Sequence, residues 1–113
     1  MVNQLRGEVK IDLGGKEYTA RLTIDSIIRL EEREGESLMK MASRLSDADM
    51  TTGKIVSILL LALRGGTGKD LNEAEVKKIV WEAGLANSMK AVGEILSASL
   101  MPESVSEGNV EAG

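Results

Sequence analysis

Residues 8–22 alternate between apolar and polar positions with a period of two. Val9, Ile11 and Leu13 fall on one side and Glu8, Lys10 and Asp12 on the other. After Gly14-Gly15 the alternation resumes, with Tyr18, Ala20 and Leu22 apolar and Glu17, Thr19 and Arg21 polar. Two such runs joined by a glycine pair predict a β-hairpin with a tight turn, because glycine reaches positive φ without strain. A lone hairpin is marginal in water, so its apolar face needs a cover.

The period then changes to that of helices. Thr23 or Asp25 caps a helix over 24–34, in which Ile24, Ile27 and Ile28 form a narrow apolar stripe ended by Gly35. A second helix over 37–45 puts Leu38, Met41, Ala42 and Leu45 on one face. Thr51 or Thr52 opens a third over 52–64, whose run from Ile55 to Leu63 is apolar almost all round, the mark of a central, buried helix. Asn72, with Glu75 in the capping-box position, starts a fourth over 73–83 with Val76, Ile79, Val80 and Ala83 as its core stripe. A fifth over 86–100 turns Met89, Val92, Leu96 and Leu100 inward and stops at Pro102. The expected fold is α+β, an N-terminal β-hairpin followed by a four- to five-helix bundle. Residues 1–101 are expected to form one domain, and 102–113, small, acidic and polar, a disordered tail.

Composition narrows the chemistry. The 113 residues include no His and no Cys, which removes imidazole bases, thiolate nucleophiles and Cys/His zinc sites together. A net charge of −4, without clustered Lys and Arg, argues against nucleic acid as a partner. No apolar run is long enough for a signal peptide or a membrane span, so the chain is expected in the cytoplasm of a bacterial host. Nothing calls for a cofactor, a metal or a catalytic role, and the chain reads as a binding or structural protein rather than an enzyme.

Two motifs invite sharper readings. Gly65-Gly66-Thr67-Gly68-Lys69 looks like part of a phosphate-binding loop, but the first glycine of that motif would fall on Leu63, and Asp70 stands where a hydroxyl should hold magnesium. A plain inter-helix turn is expected instead. Glu31, Glu32, Glu34 and Glu36 crowd around Arg29 and Arg33, with Glu32 and Glu36 the one pair a turn apart. Consecutive carboxylates point around a helix rather than converging, so a solvated face is expected.

Trp81 is the more informative side chain. At 100° per residue it lies roughly 150° from the centre of its helix's core stripe, beside Leu85 if the helix continues. A second apolar patch of this kind either packs under a neighbouring element or meets a partner; tryptophan is enriched at binding hot spots, and methionine, a core filler by default, also adapts to irregular partners. Trp81, Leu85, Met39 and Met41 are therefore the candidate partner-binding residues.

The order of features resembles a known family. Arg6-Gly7-Glu8-Val9, then Tyr18-Thr19-Ala20-Arg21-Leu22-Thr23, then Leu30-Glu31 with Gly35, and later Leu63-Arg64-Gly65-Gly66, are similar to landmarks of a gene transfer agent and prophage family. That family is known as tail assembly chaperones and is also labelled as tail tube proteins. The resemblance spans about residues 3–100 and implies a chaperone of tail assembly that binds the helical tape measure protein, with the major tail protein and further copies of the chain as additional partners. The alternative it leaves is a structural subunit of the tail tube or head–tail connector, in which the hairpin extends a neighbour's sheet. The acidic segment after Pro102 departs from the family pattern.

Overall fold

Glycine chemistry sets the first element of the computed structural model, which describes residues 7–101. Strand β1 (Val9–Leu13) turns through Gly14 and Gly15 into β2 (Lys16–Ala20). Both turn residues have positive φ, 68° and 84°, the requirement of the two-residue turn whose twist matches that of the flanking strands. The Gly15 N–H donates to Asp12 Oδ1 at 2.8 Å, which secures the turn. The strands pair antiparallel in the register Val9 with Ala20, Ile11 with Tyr18 and Leu13 with Lys16. Ile11, Leu13, Ala20 and the following Leu22 are buried, Val9 and Tyr18 pack partly against the core, and Lys10, Asp12 and Glu17 face solvent. The expected face and register are those observed.

Five helices follow, and four begin with a side-chain cap. They are α1 (Ile24–Glu34) capped by Thr23, α2 (Leu38–Ser46) by Ser37, α3 (Thr52–Arg64) by Thr51 and α4 (Glu73–Ala83) by Asn72. Each capping oxygen accepts from a backbone N–H that the helix itself leaves unused. At α4 the capping box is complete, with Glu75 Oε1 accepting from the Asn72 N–H at 2.9 Å. The last helix, α5 (Leu85–Leu100), starts after Gly84, one residue earlier than the pattern suggests, whereas α2 starts one residue later.

Burial is centred on α3. Every residue from Ile55 to Leu63 is buried, and α3 packs against α1, α4, α5 and β2. Helix α5 covers β1 and also meets α2. The buried hydroxyls of Ser88 and Ser99 donate to the carbonyls of Gly84, just ahead of α5, and Ile95, within it, at 2.9 and 2.7 Å, so neither is left unsatisfied.

Two expected core stripes are corrected. In α1 the fully buried side chain is Leu30, with Ile27 partly buried, while Ile24 and Ile28 are 69% and 48% exposed. That helix packs on α3 and α2 but not broadly on the hairpin, so among the described residues the face carrying Ile24 and Ile28 has no neighbour to cover it. In α5 the inward residues are Ser88, Ala91, Val92, Ile95, Leu96 and Ser99, with Met89 partly buried and Leu100 exposed. No helix among the described residues is long and apolar enough to cross a membrane. The acidic segment 102–113, expected to be disordered, lies outside the described residues.

Candidate assembly surface

The inward residues of α4 are Val76, Val80 and Ala83, and they turn Trp81 away from the core. Trp81 is 83% exposed, the most exposed large apolar side chain among the described residues. The Gly84 N–H closes the end of α4 on the Val80 carbonyl at 2.9 Å, and α5 starts at the next residue with Leu85, which is 46% exposed. The break thus carries an outward apolar residue on each side.

The methionines divide. Met39 is 66% exposed on the outer side of α2, whereas Met41, two positions on, is fully buried in the core. Neighbours two apart on a helix point about 200° apart, so the two cannot share a surface. Met41 is therefore a packing residue in this structure. Ile24 and Ile28, one turn apart on α1, add an outward apolar pair that the sequence reading assigned to the core.

The two motifs with chemical overtones have structural occupations. The Glu31 carboxylate accepts from the Leu38 N–H at 2.9 Å and ties the end of α1 to the start of α2. Glu36 bonds Arg44 Nε at 2.7 Å and also Lys54, which joins the start of α2 to α3. These two cations, Lys54 foremost, hold the Glu36 carboxyl below the usual carboxylate range. Glu73 is likewise lowered, first by its hydrogen bond from Arg33 across to α1 and then by the charge of Lys77. Glu32 is exposed and apart from these networks, so the Glu32–Glu36 pair does not converge. Among the described residues no group of three or more acidic residues could hold a metal ion.

In the glycine-rich loop, the N–H groups of Gly66 and Gly68 both donate to the Leu63 carbonyl, at 3.0 and 2.8 Å, and that of Gly65 donates to Leu61 at 3.1 Å. The Thr67 N–H donates to the Thr19 carbonyl at 2.9 Å. Amides committed in this way form no cradle for a phosphate. The loop is instead the seam between α3 and the hairpin, a role that its sequence gave no means of reading.

A family model described as "Phage tail tube protein, GTA-gp10" matches residues 6–101, which takes in all of the described residues. The protein belongs to this family of phage tail tube proteins. No curated protein and no solved structure matches it. The match corrects the expectation of a tail assembly chaperone: the family that covers the chain is one of tube proteins, which agrees with the structural-subunit alternative. The gene transfer agent connection carried by the sequence landmarks stands.

Proposed function

We propose that this chain is a structural subunit of a phage-type tail tube, built into the tail rather than acting on it from outside. The observation that carries the reading is the tube-protein family match from residue 6 to residue 101. The surface is compatible with assembly. Trp81, Leu85, Met39, Ile24 and Ile28 put large apolar side chains in water, a cost that a subunit recovers when neighbours cover them. The partners in this reading are further copies of the chain and the major tail protein, with the tape measure protein as the long helical component beside them. The role asks no catalysis and no cofactor of the chain.

Quantitative mass spectrometry of gradient-purified tails tests the proposal. A tube subunit stays with the particles through purification at a constant ratio to the other tail proteins. Recovery of the chain from the lysate alone, with none in finished tails, overturns it.

A further inference from the structure

We infer that the outer edge of β1 is a docking edge for the same strand of a second copy of this chain. The hydrogen-bond phase of the hairpin is the starting point. Across a two-residue turn the flanking pair, here Leu13 and Lys16, exchanges both ladder bonds, and alternate pairs do the same. The N–H and C=O of Lys10 and Asp12 on β1, and of Glu17 and Thr19 on β2, therefore point away from the ladder. The bonds made by Thr19 confirm this phase, since its carbonyl accepts from the Thr67 N–H and its N–H donates to Thr67 Oγ1 at 3.1 Å. The Arg21 N–H beyond it donates to the Ala62 carbonyl at 2.8 Å.

The two edges thus differ. That of β2 is held at Thr19 by the segment following α3, which leaves only Glu17 beside the turn, so the whole edge cannot serve a neighbour without giving up those bonds. On β1, no other segment among the described residues bonds the outward backbone groups of Lys10 and Asp12. A groove of about 400 Å³ runs beside them, walled on its far side by Asn87, Lys90 and Glu94 of α5. An open edge of this kind is a template for another strand. With the β2 edge blocked at Thr19 on every copy, a head-to-tail pairing of β1 on the full length of β2 would break those bonds, which favours isologous pairing between copies, β1 on β1.

Charge fixes the register. An antiparallel pair that uses the whole of Val9–Leu13 on both copies has its two-fold axis at Ile11. It sets Lys10 directly opposite Asp12 of the other copy, and Asp12 opposite Lys10, on the solvent face. These are also the residues whose free N–H and C=O meet across the axis. Opposite charges facing each other across strands stabilise a sheet, whereas an axis at Lys10 or Asp12 would set like charges together. On the other face Ile11 meets its own copy and Val9 meets Leu13, which continues the apolar side of the sheet.

The proposal goes beyond the tail-tube reading, since a two-fold pair closes on itself and does not propagate a tube; the test uses the isolated full chain, so its outcome is separate from whether the chain occurs in tails. Sedimentation equilibrium measures the dimer, which should be weak because five residues per strand make a small interface, with Kd on the order of 10 µM. Lys10→Glu should weaken it about tenfold or more, and Lys10→Glu with Asp12→Lys should restore it. Lys10→Pro, which removes an outward N–H while sparing the intramolecular ladder, should abolish it. Circular dichroism melts of each variant confirm that the hairpin remains folded. A wild-type chain that stays monomeric at about 1 mM overturns the proposal. So does a dimer indifferent to Lys10→Glu and Lys10→Pro, or protection of β1 amides that appears only when a different tail protein is added.

Discussion

The Thr19 carbonyl, in the second strand, accepts a 2.9 Å hydrogen bond from the N–H of Thr67, forty-eight residues further along the chain. This bond requires Gly66 to lie against the strand, where a Cβ would sit 1.8 Å from the Thr19 oxygen. Nothing flexible is there to yield, because the obstacle is backbone. Gly66→Ala should therefore cost ~2 kcal/mol or more, with Thr19 and Thr67 amides losing protection from exchange first. A Gly66→Ala chain that melts with the wild type would mean that the seam does not hold the hairpin to α3.

Helix α3 carries the densest burial. Ile58 and Leu59 are both completely buried, and truncating either leaves a void that surrounding helices fill only in part. Each Ala variant should lose ~2–5 kcal/mol in denaturant unfolding. A cost under about 1 kcal/mol for both would remove α3 from the centre of the domain.

The Glu36 carboxylate works only in its charged form. Its pKa is lowered in the folded chain by Lys54 and then Arg44, so its contribution is present in full above the usual carboxylate pKa. That contribution is lost as pH falls through the lower, folded-state value. Glu36→Gln keeps the shape and removes the charge, leaving Lys54 and Arg44 with a neutral amide. The variant should be less stable than wild type at pH 7, and the gap should close in acid only as pH falls through the lowered folded-state value, where wild-type Glu36 also becomes neutral. Urea unfolding at neutral and acid pH checks the sign. A gap that widens in acid would contradict it.

Trp81 separates stability from assembly. At 83% exposure it contributes little to the fold, so Trp81→Ala should shift unfolding by under about 0.5 kcal/mol. If neighbours in the tail cover it, the same change should reduce incorporation of the chain into tails, by a binding loss of ~2 kcal/mol or more. The two readouts, a melt and the copy number in purified tails, decide between them. A collapsed melt would make Trp81 a packing residue, and unchanged incorporation would remove it from the assembly surface.

Much of the fold was legible because its determinants are local. The Gly14-Gly15 pair and the alternation around it specify the hairpin face, and Thr and Asn caps mark three helix starts, while the Ser37 cap of α2 was missed. What failed depends on neighbours far along the chain. Ile24 and Ile28 have helical spacing, which indicates a face but not whether anything covers it. The same spacing hid Leu30 as the one fully buried residue of α1. In Leu63-Arg64-Gly65-Gly66 the glycines signal a turn, yet Gly65 has φ of −80° and is needed for room against Arg21 rather than for its dihedral freedom. The outward position of Trp81 was legible from the wheel, and the burial of Met41 should have separated it from Met39 by the same geometry. The chaperone expectation could not be corrected from composition, because a chaperone and a tube subunit both need exposed apolar side chains and neither needs a catalytic group.

The most direct test of the central claim is where the chain sits in an assembled tail. Gold-labelled antibody against the folded domain, imaged on purified tails by electron microscopy, reads this without reconstituting any partner. For sheathed or closed tubes, mild disruption before labelling exposes the subunits. A tube subunit should be labelled at intervals along the whole tail length. Labelling confined to the head-proximal end would make the chain a connector component, and tails with no label would contradict the account.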